Sequence, residues 1–290
     1  MIAKQQTAKR KSVDHLEGTL KGYGGVQLYY QRWRPEAGSA SKAVLAIVHG
    51  HGEHSGRYGS VVAWFVPKGY AVYAFDLRGH GRSPGQRGYV SRFGDYTADV
   101  QAFLAFVRQE EAGRPVFLLG HSLGGPIALN YVLHDPSGLA GIIASGPALG
   151  ALPVSPAKLV LANLLSKVWP RFSLPTGLDV DNLSRDPAVV KDYVDDPLVH
   201  DLGTARLGTE VMAAIDWTQA HAADLALPCL IVHGSADRIC LPEDSRAFFD
   251  HVTLADKELR EYDGYYHEVF NDVGKERVLT DVEAWLEARL

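Results

Sequence analysis

The sequence predicts an α/β fold, in which a mostly parallel central sheet is flanked by helices. Short apolar runs alternate with segments whose apolar residues recur at helical spacing, a pattern typical of parallel sheets covered on both faces. Within residues 116–130 a strand, a sharp turn bounded by glycines and a helix follow one another. From residue 152 to about 223 the alternation stops, which indicates a segment inserted after the sixth strand.

The first two predicted strands form an antiparallel pair, because a glycine-rich turn at residues 22–25 separates them. The strands are predicted at 18–20, 26–33, 43–48, 70–76, 116–119, 139–144, 227–233 and 258–262. The helices are predicted at 60–66, at 96–108, after the glycine-bounded turn through 132, at 157–169, at 242–251 and at 275–289. In such a sheet, ligands bind at the carboxyl ends of the parallel strands.

Composition narrows the function classes. Of 290 residues, 46% are hydrophobic and 22% are charged, which is usual for a globular protein with a sizeable core. The net charge of −5 excludes a general attraction to nucleic acid or anionic lipid. The two cysteines, Cys229 and Cys240, neither build a disulfide framework nor supply a structural zinc site. Cys229 lies in a predicted core strand and is expected to be a free thiol, whereas Cys240 is either an inert packing residue or lies near a pocket rim.

The chain is expected to contain one interrupted domain. Residues 1–16 are predicted to be a flexible polar leader that contains Lys9, Arg10 and Lys11. Residues 17–151 and 224–290 form the two parts of the core, and residues 152–223 form a helical cap. The helix at 157–169 either packs on the core or serves as a lid whose apolar face lines a channel or touches lipid. Without a signal peptide or a membrane-span pattern, a cytoplasmic location is expected.

The turn at Gly120-His121-Ser122-Leu123-Gly124 predicts a nucleophile elbow. Glycines two residues before and after Ser122 are needed where side chains would clash with the adjoining strand and helix. The helix that follows directs backbone N–H groups and its positive dipole end toward negative charge. The alternative is a glycine-rich turn that carries an ordinary surface serine, but the flanking strand and helix favour catalysis.

A serine hydroxyl requires a base near neutral pH, and position must choose it among 12 histidines. In α/β folds that carry such an elbow, the partners follow the serine in the order acid and then histidine, each in a loop after a late strand. Asp237 and His267 have these positions. We therefore predict that His267 is the general base and that Asp237 orients it and stabilises its imidazolium form.

Acyl transfer also develops an oxyanion, which needs two hydrogen-bond donors already in place. One predicted donor is the backbone N–H of Leu123, directly after the nucleophile. The other is expected from the loop after the strand at 43–48, where Gly50 and Gly52 permit a close approach. The backbone N–H of His51 is the expected donor there.

Several longer motifs resemble the monoacylglycerol lipase family of α/β-hydrolases, over nearly the whole chain after about residue 17. They are His49-Gly50-His51-Gly52-Glu53-His54-Ser55-Gly56-Arg57-Tyr58, Asp76-Leu77-Arg78-Gly79-His80-Gly81-Arg82-Ser83, Gly120-His121-Ser122-Leu123-Gly124-Gly125, Leu183-Ser184-Arg185-Asp186-Pro187, Asp196-Pro197-Leu198-Val199-His200 and Gly234-Ser235-Ala236-Asp237-Arg238. The resemblance implies hydrolysis of monoglycerides to fatty acid and glycerol under a cap that forms an apolar channel, without a cofactor.

The resemblance also assigns residues. It implies a triad of Ser122, Asp237 and His267, with oxyanion donors at His51 and Leu123. A cap tyrosine near the glycerol head group matches Tyr193, and Glu53 and Arg57 are expected to shape the same polar end. Leu123 stands where many relatives have methionine, and the residue at His51 also varies. The implied partners are a monoacylglycerol or another small ester and, through the cap, transient contact with lipid aggregates or a membrane surface.

Three alternatives remain from the sequence. A general carboxylesterase or lysophospholipase would use the same triad. The spacing of His49, His51, Glu53 and His54 also resembles the zinc-binding stretch of metallo-β-lactamase-type hydrolases, although that fold would not explain the elbow. A binding or receptor protein that retains the fold without turnover is the third alternative, against which the intact triad argues.

Overall fold

The computed structural model describes residues 13–35, 40–150 and 156–290, and in the helix that begins at Pro156 it describes side chains from residue 160 onward. The basic cluster Lys9, Arg10 and Lys11 and most of the predicted leader lie outside the described residues. The first strand begins at Asp14, so its first residues fall within the segment 1–16 that the sequence assigned to a leader.

The central sheet contains eight strands. They are β1 (Asp14–Lys21), β2 (Gln27–Arg34), β3 (Ala43–Val48), β4 (Tyr70–Phe75), β5 (Val116–His121), β6 (Gly141–Ser145), β9 (Cys229–Gly234) and β10 (Lys257–Tyr262). Their spatial order is β1-β2-β4-β3-β5-β6-β9-β10. The strand β2 pairs antiparallel with β1 and β4, and the strands from β4 to β10 pair in parallel. The predicted mostly parallel sheet is confirmed.

Helices follow most strands. They are α1 (Gly59–Phe65), α2 (Phe93–Glu110), α3 (Gly124–His134), α4 (Pro156–Val168), α5 (Pro187–Asp195), α6 (Ala205–Ala220), α7 (Pro242–His251) and α8 (Lys275–Glu287). In the described part of the chain, none of the helices combines the length and the apolarity that a membrane crossing requires.

Alternating residues of the inner strands supply the core on both faces of the sheet. In β3, Val44, Ala46 and Val48 point to one face, while Leu45 and Ile47 point to the other. The first face packs against α2, α3, α6 and α7, and the second packs against α1 and α8. Because both faces are covered, every residue of β3 is buried, which explains its continuous apolar sequence.

The segment between β6 and β9 contains the helices α4, α5 and α6, so an insertion follows the sixth strand as predicted. The expectation that it has no strand is wrong. β7 (Ser173–Pro175) pairs antiparallel with β8 (Leu202–Thr204). Each strand has three residues, which is too short for an alternating pattern to be recognised in the sequence.

Backbone contacts connect the insertion to loops of the core. His200 N–H donates to the carbonyl of Gly52 at 2.9 Å. Thr204 N–H and hydroxyl both donate to the carbonyl of Gly88, at 2.9 and 2.8 Å. The same hydroxyl accepts from Leu207 N–H at 3.1 Å and so caps the first turn of α6. Thr204 thus joins a helix start to the core.

We predict that Thr204→Ala lowers the free energy of unfolding by about 1–2 kcal/mol, because it removes this cap and a buried hydrogen bond. Chemical denaturation measures the change. Thr204→Ser, which keeps the hydroxyl, is the matched control and should retain most of the stability. Equal stability of the alanine and serine variants would contradict the role assigned to the hydroxyl.

Candidate active site

The elbow serine has a strained backbone. Ser122 follows β5 and has a φ of 52°, and among the described residues it is the one non-glycine residue with a positive φ. Such a conformation costs roughly 1–3 kcal/mol and persists only where the surroundings fix it. Here Ser122 N–H donates to the Ser145 carbonyl at 3.0 Å, and the Ser122 carbonyl accepts from Gly125 N–H at 2.9 Å and from Ala148 N–H at 3.1 Å.

The glycines around Ser122 are required by close backbone contacts. A Cβ at Gly120 would lie 2.3 Å from the Gly124 carbonyl oxygen, and one at Gly124 would lie 2.1 Å from the Val48 carbonyl oxygen. Both distances are shorter than any ordinary contact. The strand–turn–helix geometry predicted from the glycine spacing is therefore present, and it brings the elbow against the end of β3.

The predicted acid and base lie together. Asp237 follows β9 and His267 follows β10, and both residues are buried. His267 Nδ1 lies 2.7 Å from Asp237 Oδ2. Since an ionised carboxylate can only accept, Nδ1 carries the hydrogen, and Nε2 is the nitrogen left to accept a proton.

The charges of this pair stabilise each other. Burial alone would raise the pKa of Asp237, but the positive charge of His267 and hydrogen bonds from His233 and His267 hold it well below its usual value. Burial lowers the pKa of His267, but Asp237, with smaller contributions from Glu268 and Glu53, raises it above 6.5 overall. Asp237 is therefore an anion at neutral pH, and it favours a proton on His267.

In the structure described for residues 13–35, 40–150 and 156–290, Ser122 Oγ does not form a hydrogen bond with His267 Nε2. The Ser122 side chain instead lies close to the Cys240 thiol. Burial raises the pKa of this thiol well above its usual value, and the contact with Ser122 offsets only part of that rise. Nucleophile–base bonds are often long in free enzymes and tighten when substrate binds. The ring centres of His121, which precedes Ser122, and His267 lie 4.8 Å apart. The elbow and the acid–base pair are therefore close, without the final contact.

The loop after β3 lies directly against the nucleophile. A Cβ at Gly50 would lie 2.9 Å from the Cβ of Ser122. Within the described chain, the backbone N–H groups of His51 and Leu123 donate to no other protein group, so both are free to bind an oxyanion. Leu123 also precedes α3, whose N-terminal end favours negative charge.

The side chain of His51 contacts other imidazoles. Its ring centre lies 5.5 Å from that of His80 and 5.4 Å from that of His200 in the insertion. Burial lowers the pKa of His51 to about 4 and that of His200 to about 3. The rings of His51 and His200 are therefore neutral at pH 7, and they form an uncharged contact between the loop after β3 and the insertion.

Glu53, Arg57 and Tyr193, the residues expected at the polar end of the substrate, lie in one buried network. Glu53 Oε1 accepts from Gly50 N–H at 2.6 Å. Arg57 binds both carboxylate oxygens of Glu268, at 2.5 and 3.0 Å, and lies 3.4 Å from Glu53 Oε2. The Arg57 guanidinium also lies 4.6 Å from the centre of the Tyr193 ring.

The network contains ionised carboxylates on both sides of Arg57. Burial would raise the pKa of Glu53, but His121 and Arg57 outweigh it and bring the pKa to about 2. Arg57 thus lies between two buried carboxylates. The charged groups of Glu53 and Arg57 already bind protein partners, so a substrate hydroxyl would join an existing network.

Several residues of the site were not predicted. Glu268 follows His267, Tyr58 donates to Glu53 Oε1 at 3.0 Å, and His233 lies 3.1 Å from Asp237. A small cavity of about 10 Å³ lies beside Glu53, His121 and Glu268. No motif spacing marks these residues, because their partners come from distant parts of the chain.

The alternative zinc site is not supported by the geometry. His49 Nδ1 lies 2.7 Å from the Gly50 carbonyl, and its Nε2 accepts from Leu77 N–H. His54 Nε2 instead lies 2.8 Å from Asp196. Among the residues that the structure describes, no group of three or more histidine, cysteine or carboxylate side chains is arranged to hold a metal ion.

A surface groove of about 560 Å³ lies near the site. It is lined by Tyr266 and by residues of the insertion, namely Asp181, Ser184, Arg185, Pro187, Val190, Lys191, Val194 and Asp195. Ser122, Asp237 and His267 do not line it. The groove is therefore separate from the position where the chemistry is predicted.

The strand order and the strained serine between β5 and α3 define an α/β-hydrolase. A hydrolase family model described as "Serine aminopeptidase, S33" matches residues 39–274. The chain is 38% identical to a monoacylglycerol lipase of Mycolicibacterium smegmatis, over 94% of this chain and 98% of that protein. It is 32% identical to human monoglyceride lipase, over 91% of this chain and 88% of the human protein.

A solved structure is also similar. The crystal structure of a monoacylglycerol lipase from Paleococcus ferrophilus has a TM-score of 0.81 and 36% identity, over 91% of this chain and 99% of that chain. The chain belongs to the monoacylglycerol lipase family of the α/β-hydrolases. The family resemblance stated from the motifs is therefore confirmed.

We predict that kcat/KM for ester hydrolysis falls on acidification through a pKa higher than that of an ordinary histidine, because His267 must be neutral to accept a proton and its pKa is raised. Asp237→Asn should move this acid limb to lower pH and reduce kcat by roughly 10⁴-fold. A pH series with a short soluble ester measures both effects. An acid limb that is unchanged in the asparagine variant would contradict the pairing.

Proposed function

We propose that this chain hydrolyses the ester bond of monoacylglycerols, releasing fatty acid and glycerol through an acyl-enzyme intermediate. The observation that carries the proposal is the buried Asp237–His267 pair, with 2.7 Å between Oδ2 and Nδ1, at the same edge of the sheet as the Ser122 elbow. The substrate class comes from the relatives, several of which are named monoacylglycerol or monoglyceride lipases.

Acylation begins with neutral His267. Its Nε2 accepts the hydroxyl proton of Ser122 while Oγ attacks the ester carbonyl carbon. The imidazolium that forms is stabilised by the buried carboxylate of Asp237. Collapse of the tetrahedral intermediate breaks the bond to the glycerol oxygen, which takes the proton from His267. Glycerol leaves, and the acyl group remains on Ser122.

Deacylation repeats these steps with water. His267 removes a proton from the water molecule, the resulting hydroxide attacks the acyl carbon, and the proton then returns to Ser122 Oγ as the fatty acid departs. In both halves the oxyanion accepts hydrogen bonds from the N–H groups of His51 and Leu123. Loss of one such donor typically reduces kcat by about 10²–10³-fold.

The network at Glu53, Arg57 and Tyr193 is proposed to receive the glycerol end of the substrate. It offers a carboxylate acceptor, guanidinium donors and a phenol that donates and accepts, and hydroxyl groups bind to such groups. Burial raises the pKa of Tyr193 to about 12, so the phenol keeps its proton.

Residues 152–223 are proposed to act as a cap between core parts 17–151 and 224–290. Contacts from Tyr193, Asp196 and His200 to the segment that contains Arg57, His54 and Gly52 support this role. We also propose that the protein is located in the cytoplasm. The thiols of Cys229 and Cys240 are free, as is usual in a reducing compartment.

The described outer face of α4 is proposed to contact lipid aggregates. This α4 patch consists of Val160, Leu161, Leu164, Val168 and Trp169, all of which are exposed, Val168 by 74%. The opposite side of the helix packs on α6, where Ser166 Oγ lies 2.8 Å from Thr209 Oγ1. A contiguous exposed apolar patch is typical of a surface that binds a partner or a membrane.

We predict that kcat/KM rises steeply with acyl length across a series of monoacylglycerols, by roughly fourfold per methylene while the chain remains buried. Diacylglycerols, triacylglycerols, lysophospholipids and simple esters complete the panel. Ser122→Ala is the control, and it should reduce every rate by roughly four orders of magnitude or more while the protein remains folded.

A flat or falling profile beyond short acyl chains would reject the lipase and favour a general carboxylesterase. Faster hydrolysis of lysophospholipids than of monoacylglycerols would favour a lysophospholipase. Substantial activity in Ser122→Ala would contradict the serine mechanism itself.

We predict that the double variant Leu164→Asp, Val168→Asp slows hydrolysis of aggregated long-chain monoacylglycerol by about tenfold and leaves hydrolysis of a monomeric short-chain ester unchanged. Two carboxylates at the patch oppose its entry into apolar surroundings. Val194→Asp on α5, also at an exposed valine, is the matched control. Co-sedimentation with phosphatidylcholine vesicles measures binding directly, and equal binding by all three proteins would contradict the role of the α4 patch.

A further inference from the structure

A second histidine binds the carboxylate of the acid–base pair. His233 lies near the end of β9 and is completely buried. Its Nε2 lies 3.1 Å from Asp237 Oδ2, the same oxygen that His267 Nδ1 contacts at 2.7 Å. The other oxygen, Oδ1, accepts from the N–H groups of Ile239 and Cys240 at 2.8 and 3.0 Å. Asp237 therefore accepts four hydrogen bonds.

The surroundings of His233 determine which of its nitrogens carries hydrogen. Its Nε2 also lies 2.9 Å from the carbonyl oxygen of Cys240. Both neighbours of Nε2 are acceptors, so this nitrogen must donate. Its Nδ1 lies 2.9 Å from Ser245 Oγ on α7, and a hydroxyl can donate or accept. The donor to Asp237 is therefore present whether the ring is neutral or charged.

We propose that His233 is a positioning residue for the proposed catalytic pair: it donates to the same Asp237 oxygen as His267, fixes the carboxylate there and interacts with part of its negative charge. The inference rests on the proposed function, in which Asp237 orients His267. Without His233, Oδ2 would have His267 as its one side-chain donor. Oδ2 would then be held less firmly, and among these side chains His267 alone would interact with its charge.

Other ionisable groups also surround His233. Asp244 lies on α7, Glu261 pairs with His233 in the neighbouring strand β10, and the Cys240 thiol lies in the loop beyond Asp237. Burial and the nearby Glu243 raise the pKa of Asp244, whereas Arg246 lowers that of Glu261. These groups remain in place when His233 is replaced, so a change in the pH profile would report on the Asp237–His267 pair.

The experiment compares His233→Leu with His233→Gln, whose amide N–H can reach toward Asp237 Oδ2. In the leucine variant we expect kcat to fall about tenfold with KM within about twofold. Because Asp237 then interacts more strongly with His267, the acid limb of kcat/KM should move upward by roughly half a pH unit to one unit. The glutamine variant should restore the limb to within a small fraction of that shift.

The control is His221→Leu, which removes a half-buried imidazole whose Nδ1 lies 2.8 Å from the Trp217 carbonyl, away from the catalytic pair. It should leave the acid limb in place. Thermal unfolding is measured for all variants. For a destabilised variant, the low-field proton resonance of the His267–Asp237 hydrogen bond provides a second readout, and it should shift in His233→Leu and return in His233→Gln.

A short soluble ester is used as substrate, so the result does not depend on preference for monoacylglycerols. An unchanged acid limb and an unchanged resonance in His233→Leu would overturn the inference, even with lower thermal stability, because the histidine would then be a packing residue. If Ser122→Ala retained the parent activity, the proposed function would fail, and the inference would fail with it. Ser122-dependent activity with an unchanged limb would overturn the inference alone.

Discussion

The close approach of backbone segments at Ser122 is the constraint on which the rest of the structure depends. The elbow fits only because Gly120 and Gly124 have no side chains where they meet each other and the carbonyl of Val48. The hydrogen bond to the Ser145 carbonyl fixes Ser122 against β6. The strained serine is therefore held by strands on both sides of β5. Burial of the mostly parallel sheet on both faces offsets the free-energy cost of this strained backbone.

The second constraint is a buried ionic network beside the loop after β3. Glu53 and Glu268 are both buried, and Arg57 lies between them. Buried charges are costly unless they are paired, so removal of Arg57 would leave two buried carboxylates without their countercharge. Glu53 also binds Gly50 N–H. A single ionic network thus joins the loop after β3 to Glu268, which follows His267, and through Tyr193 to the insertion.

The sequence was most informative where one local pattern determines the structure. The apolar run of β3 and the bounds of α7 follow from periodicity and from the proline at the helix start, and both agree with the prediction. The glycine spacing around Ser122 predicted the elbow because steric contact at that turn permits few other residues. Asp237 and His267 could be predicted because each follows a strand that ends at the same edge of the sheet.

Contacts between distant segments could not be predicted in this way. Glu268 pairs with Arg57, which lies 211 positions earlier in the chain, and no spacing rule connects them. His233 resembled an ordinary residue near a strand end. The apolar residues of α4 fitted packing on the core as well as a lid that contacts lipid, since they alone do not indicate which side faces α6. The exposed leucines and valines of its outer face became evident only in three dimensions.

The order of the strands has a consequence for biosynthesis. The sheet grows from β1 at one edge to β10 at the other, and its spatial order largely follows the order of translation. A nascent chain can therefore assemble the strands around Ser122 while β9 and β10 are still inside the ribosome. Ser122 therefore emerges from the ribosome before Asp237 and His267, and a partly translated chain lacks the two residues that are proposed to activate it.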